Sequence, residues 1–192
     1  MAQIILASAS PRRKMLMEWA ELEFDILVSE TEESFPDHLQ PGDAAVHVAR
    51  GKALATLNHP VYQRYPEGTP IVAADTMVIL DGQVIGKPLS RENAIQILES
   101  LSGQKHQVVT GVVIINPERE LSFADTTVVE FHPLTREDIE FYVDKYKPYD
   151  KAGAYAIQEW IGVVGIKEIH GDFYNVMGLP VSKVMQHLAN YF

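Results

Sequence analysis

The sequence predicts an α/β fold: a mixed, twisted sheet with helices on its faces, in two lobes around a cleft. Three observations lead there. Apolar runs of strand length alternate with helical segments early in the chain. Later runs come in pairs around turns, at Asp81-Gly82 and at Asn116-Pro117. With 192 residues, 46% of them hydrophobic, the chain can bury a sizeable core.

Each element follows from local chemistry. Residues 3–7 are a short apolar run and read as a strand. Ser10 suits an N-cap and Pro11 a first helical position, so a helix covers about 11–20. Residues 24–28 form a second strand. Glu30, Glu32 and Glu33 follow, then a loop holding Pro36, Pro41 and Gly42. Asp43 is expected to cap a helix to Leu57, because Ala45, Val48, Ala49 and Lys52 share one face. The proline-rich stretch 58–70 reads as a loop. Asp81-Gly82 joins the strands 71–80 and 83–85 in a two-residue hairpin. Ser90 caps a helix ended by Ser102-Gly103. Residues 107–115 and 121–131 are long β runs. Thr135 opens a helix with Glu137 and Asp138 in its favoured acidic first turn. A late strand is expected over 163–169, and a last helix from Pro180 to about 190.

Composition excludes several functions. The chain carries 16 Lys and Arg against 26 Asp and Glu, a formal charge of −10. Nucleic-acid binders usually have the opposite balance, so no nucleic-acid partner is expected. There is no cysteine, which removes disulfides and thiol catalysis. The opening Met-Ala-Gln-Ile-Ile-Leu lacks the basic region of a secretory signal. No apolar stretch reaches the roughly 18 residues of a membrane span. The expectation is a cytoplasmic protein with no membrane partner. GxxxxGK[ST], GxSxG and GxGxxG are absent, and the seven histidines show no metal-ligand spacing.

Against that acidity, one basic cluster stands out. Arg12, Arg13 and Lys14 open the first helix, where unpaired N–H groups and the macrodipole already present positive charge. An anion in the gap makes sense of three cations there, and phosphate is the usual occupant. A solvated, outward-pointing basic patch is the alternative. Asp75 lies inside the apolar run 71–80, on the strand face of Ala73 and Met77. Left alone, such a carboxylate would cost several kcal/mol, so it must meet a cation, a metal or water. A general base or metal ligand at a cleft wall is the functional reading, and a carboxylate bonded to backbone at a bulge is the other. Lys52 falls on an apolar helix face; its stem can pack while the amine reaches solvent. Lys87 is a loop lysine, uninformative alone. The glutamates 30, 32 and 33 gain meaning only if they share a site with Asp75, where hard oxygen ligands would draw magnesium. The block 151–158 joins small residues to Tyr155 and Gln158, and reads either as a base-contacting segment or as a tight packing turn.

Taken together, four stretches carry a resemblance. They are Ala7-Ser-Ala-Ser-Pro-Arg-Arg13; Ala74-Asp-Thr76 followed by Gly86-Lys-Pro88; Leu101-Ser-Gly-Gln104; and Lys151-Ala-Gly-Ala-Tyr-Ala-Ile-Gln158 with Gly178-Leu-Pro180. In this order the chain resembles the Maf (septum-formation inhibitor) family of nucleoside triphosphate pyrophosphatases. The resemblance implies one domain over 1–192, with a fold related to inosine triphosphate pyrophosphatases. It implies hydrolysis of a nucleoside triphosphate to the monophosphate and pyrophosphate with a divalent metal, magnesium or manganese. By the family pattern Asp75 is the proton acceptor. Ser10, Arg13, Lys52 and Lys87 fall on phosphate-handling positions, and Glu33 joins Asp75 on the metal position. Arg12, Thr76 and Gln158 match the triad of the branch acting on dTTP and UTP; the 7-methyl-GTP branch has Trp and Glu at the Arg12 and Gln158 positions. The chain departs from the pattern after Gln158, where Glu159-Trp160-Ile161 precede Gly162 instead of an immediate glycine. That puts bulk beside the expected base-reading amide.

The implied chemistry agrees with the residues. Phosphoryl transfer needs positioning and charge neutralisation more than covalent catalysis. The implied partner is a nucleoside triphosphate, and the chain is compatible with a homodimer. Two other classes are weighed. A non-catalytic nucleotide-binding regulator of cell division would have no need of a costly carboxylate beside a phosphate site. A phosphomonoesterase would release orthophosphate.

Overall fold

The computed structural model describes residues 4–191. Gln3, the expected start of the first strand, lies outside them. The sheet has seven strands: β1 (Ile4–Leu6), β2 (Phe24–Ile26), β3 (Ile71–Leu80), β4 (Gln83–Ile85), β5 (Lys105–Ile115), β6 (Glu120–Phe131) and β7 (Ile166–His170). Their order is β2-β1-β3-β5-β6-β7, with β4 paired to β3. β1 is parallel to both β2 and β3, while β3/β4 and β6/β7 are antiparallel. The mixed sheet expected from the sequence is therefore present. The helices are α1 (Pro11–Trp19), α2 (Pro41–Leu57), α3 (Arg91–Leu101), α4 (Arg136–Tyr146), α5 (Trp160–Gly165), α6 (Phe173–Met177) and α7 (Val181–Leu188).

The chain forms two compact units. The first holds residues up to Asp75, Thr110–Asp125 and those from Gly178 onward. Its core joins Ile5 and Ala7 from the end of β1, Ala49 and Ala53 of α2, Ile71 and Ala73 of β3, and Val113 and Ile115 of β5. Small residues on α2 let its backbone lie close against β5. A side chain at Gly111 would place its Cβ 2.2 Å from Val46 N and 2.3 Å from Ala45 C, so only glycine fits the crossing.

The second unit holds Thr76–Val109 and Thr126–Met177. α3 buries Ala94, Ile95, Leu98 and Leu101, and α4 buries Ile139, Tyr142 and Val143. Between them Arg91 grips the Asp144 carboxylate with two bonds, 2.6 and 2.8 Å, and Arg136 reaches Glu99 at 2.6 Å. Thr135 and Asp138 form a capping box at the start of α4. At the β3–β4 hairpin Asp81 and Gly82 both take positive φ, 50° and 78°, as its two-residue turn requires.

The structure corrects three local expectations. Asp43 does not cap α2: Gln40 holds the N-cap position, Pro41 starts the helix and Asp43 sits in the first turn. The pre-set φ and missing N–H of proline suit the first helical position, and the aspartate still favours the dipole. Residues 163–165 are helical, and the late strand runs over Ile166–His170. The β-branched pair Val163-Val164 argues for a strand locally, yet the N–H groups of Gly162 and Val163 bond Glu159 O, at 2.9 and 3.3 Å, and wind the segment into α5. The last helix stops at Leu188 and continues as a 3-10 turn over Ala189–Tyr191. α6 and a short 3-10 turn, Tyr62–Arg64, go beyond the sequence reading.

Candidate active site

In the first unit, β1 ends beside the start of α1. Ser10 is the N-cap, its Oγ accepting the Arg13 N–H at 3.5 Å, and Pro11 occupies the first turn, which contains no acid. The three cations then diverge. Lys14 points outward and pairs with Glu18 on the exposed surface, 3.5 Å away. Arg12 is half-buried. Arg13 turns inward and is only 8% exposed. Its Nε donates to the Gly178 carbonyl at 2.8 Å and its Nη1 to Ser8 Oγ at 3.2 Å. Burial pulls the Arg13 guanidinium below its ordinary value, opposed by the nearby charge of Asp75 and Glu33. Of the three cations, Arg13 is thus built inward and Lys14 outward.

Asp75 and its neighbour Thr76 are half-buried, where β3 is otherwise buried from Ile71 to Ala74 and from Met77 to Ile79. Lys52 reaches Asp75 from α2. Its Nζ donates to Asp75 Oδ1 at 2.7 Å and lies 2.8 Å from Glu33 Oε1. The amine is not simply released to solvent, since its side chain is 14% exposed. One ammonium so gathers the half-buried Asp75 and Glu33, which is itself 51% exposed; Glu30 and Glu32 are exposed as well. Two carboxylates that reach one cation position are a hard-oxygen donor pair of the kind that holds magnesium together with substrate phosphates. Among the described residues, no group of three or more His, Asp or Glu side chains gathers to hold a metal ion, and here the Lys52 ammonium stands between the two carboxylates.

Thr76, Lys87 and Gln158 belong to the second unit. Lys87 is exposed in the loop after β4. That loop touches the block 151–158, where Gly153 N–H donates to Gly86 O at 3.2 Å. Gly153 has φ 69° and packs on Val78, whose methyl carbon would lie 3.0 Å from an added Cβ. Gln158 is exposed. Tyr155 is buried instead, with its hydroxyl 2.7 Å from His106 Nε2 and its ring edge-on to Phe131. In this block the aromatic is core and the amide is surface.

The family model described as Maf-like protein matches residues 3–191. The chain belongs to the Maf-like protein family. Among curated relatives of this Maf-like chain, the dTTP/UTP pyrophosphatase of Cytophaga hutchinsonii is 48% identical, over 98% of this chain and 84% of its own length. That of Bacteroides thetaiotaomicron is 46% identical over 97% and 94%. That of Bacillus velezensis is 43% identical over 98% and 96%. Among solved structures, the Ham1 protein of Staphylococcus aureus aligns with a TM-score of 0.52 at 16% identity, over 99% of this chain and all of its own. At that identity the likeness is one of fold.

Within the Maf-like framework, several site features lay beyond sequence reasoning. Ser8 and the Gly178 carbonyl hold Arg13, and Gly178 adopts φ 119°, a conformation suited to glycine. The motif Gly178-Leu-Pro180 was visible, but not its partner. Tyr142, Lys151 and Glu159 form a cluster in the second unit; the sequence flagged Lys151 in a motif and Glu159 in the departure after Gln158, but not Tyr142. Among the described residues, no helix is long and apolar enough to cross a membrane.

Proposed function

We propose that this protein hydrolyses dTTP and UTP to the monophosphate and pyrophosphate. The observation that supports it most is the Lys52 ammonium set between Asp75 and Glu33, in the unit that also buries Arg13 at a helix start. The relatives named dTTP/UTP pyrophosphatase supply the substrate class.

In this reading Ser10 and the N–H groups of α1, with Arg13 and Lys52, bind phosphate, and Lys87 is a further phosphate-handling residue. Arg13, fixed by Gly178 and Ser8, offers its charge without a reorganisation cost at the moment of reaction. Magnesium or manganese held by Glu33 and Asp75 would supply further neutralisation of phosphate charge. The Asp75 carboxylate takes a proton from the attacking water, whose oxygen forms the new bond to the α-phosphorus. The bond from that phosphorus to the bridging oxygen breaks, and pyrophosphate leaves with the electron pair. Arg12, Thr76 and Gln158 select the base. The Gln158 amide has a donor and an acceptor, and a uracil or thymine edge offers both complements. Cytosine replaces one carbonyl with an amine, and leaving a group unpaired costs about 1–3 kcal/mol.

The test is a panel of UTP, dTTP, CTP, ATP and GTP with magnesium or manganese, for wild type and Gln158→Glu. Expected are monophosphate and pyrophosphate, with UTP and dTTP first, CTP weaker and purines poor, and a changed order in the variant. Diphosphate and orthophosphate as products would overturn the reading, as would binding without turnover, which is the behaviour of a regulator. A lead for GTP, or an unchanged ranking in Gln158→Glu, would remove Gln158 as base reader.

A further inference from the structure

Gln158 sits on a turn whose two ends are bound to a single phenol. The turn is closed by the Glu159 N–H donating to Ala156 O at 3.1 Å. Tyr142 lies fully buried on α4. Its hydroxyl oxygen accepts the Ala156 N–H at 3.1 Å, and the same hydroxyl donates to the Glu159 carboxylate. The buried Lys151 Nζ lies 3.7 Å from the other Glu159 oxygen and 2.8 Å from Asp150 Oδ1. Behind the turn, Gly162 packs so closely on the Ile157 carbonyl that an added Cβ would sit 1.7 Å from the oxygen. Trp160 is drawn off to α4, edge-on to Phe141 with ring centres 4.8 Å apart. The bulk that departs from the family pattern is therefore committed to the scaffold, while Gln158 alone stays exposed.

We infer that Glu159, held by Tyr142 and Lys151, is a positioning residue that fixes the presentation of Gln158 and so sets the preference for uracil and thymine over cytosine. The inference rests on the pyrophosphatase reading above. The physical reason lies in the amide itself. Its oxygen and nitrogen ends are close in size, so a loosely held glutamine can turn and satisfy either a carbonyl or an amine. Discrimination needs a backbone that lets one orientation win. A carboxylate that accepts from a buried phenol, with an ammonium 3.7 Å from its other oxygen, anchors that backbone. A glycine after Gln158 would take the carboxylate away from the Tyr142 hydroxyl. The inserted Glu159 gives the phenol a second hold on the turn, one residue from the reading amide.

The experiment measures kcat and KM for UTP and CTP in wild type, Glu159→Gln, Glu159→Ala and Tyr142→Phe. Glu159→Ala and Tyr142→Phe are expected to lower the UTP-to-CTP ratio of kcat/KM by about tenfold. The loss should fall on KM for UTP, since Asp75 and the phosphate cations are untouched. Glu159→Gln keeps an oxygen for the Tyr142 hydroxyl and is expected to restore most of the ratio. A purely structural role would lower both substrates together and leave the ratio alone. An active Glu159→Ala with the wild-type ratio overturns the inference, and so does equal loss on both nucleotides in Glu159→Ala and Tyr142→Phe. A wild-type protein that leaves every nucleotide intact overturns the pyrophosphatase reading as well, so the two failures are distinct.

Discussion

Lys52 and Asp75, 23 residues apart in sequence, meet through a 2.7 Å hydrogen bond between ammonium and carboxylate. Each occupies a position that its own element would give to an apolar residue: Lys52 follows Ala49 and Val48 on α2, and Asp75 interrupts a buried strand. Two charges withdrawn from water in this way are costly singly and tolerable together.

Asp75→Asn is expected to lose at least about two orders of magnitude in turnover, within the range of general-base catalysis. The amide keeps the size of the carboxylate and can still accept from Lys52, so the fold should persist. Steady-state kinetics beside far-UV circular dichroism check this. Near wild-type turnover in a folded variant would remove Asp75 as base.

Lys52→Ala takes away the cation between Asp75 and Glu33 and leaves two carboxylates facing each other. The expected loss of stability is about 1–3 kcal/mol, the scale of a charged, partly buried hydrogen bond. Binding should fall far more for UTP than for uridine, because only the former carries phosphates. Calorimetric titration with both ligands checks it, and equal losses would make Lys52 a structural residue only.

Gly111→Ala should be among the most damaging single-methyl additions in the first unit. The new Cβ would overlap the backbone of α2 at Ala45 and Val46, where no side chain can move aside. A loss of about 3 kcal/mol is expected, at the upper end of overpacking effects, read by urea unfolding.

His106 is buried, and burial lowers its titration to about 4 from an ordinary 6.5. The unfolded chain therefore takes up this proton first. This histidine's contribution is intact above pH 6.5, falls as pH drops towards 4, and then levels off. The displacement corresponds to about 3 kcal/mol across that window. Unfolding free energies between pH 4 and 7 should show a steeper decline for wild type than for His106→Gln, which keeps a polar group for the Tyr155 hydroxyl. Parallel curves would place the acid sensitivity elsewhere.

The sequence by itself determined the alternation of elements, the hairpin at Asp81-Gly82, the N-cap at Ser10 and the suspicion attached to Asp75 and to Arg13. All of these are local rules: periodicity, turn chemistry, caps and the cost of placing charge where apolar residues belong. It also carried the family, because the four motifs stand in order along the chain. The tertiary structure alone decided which cation goes inward. Arg13 is chosen by a carbonyl 165 residues away at Gly178, and no local rule reports on a partner at that distance. The same holds for Gly111, whose need for a bare backbone arises from the crossing of α2. In α5, Val163 and Val164 argued for a strand, and bonds from Gly162 and Val163 to Glu159 overruled them. The role of Glu159 stayed hidden for the same reason: its meaning lies in Tyr142, brought beside it only once α4 has packed.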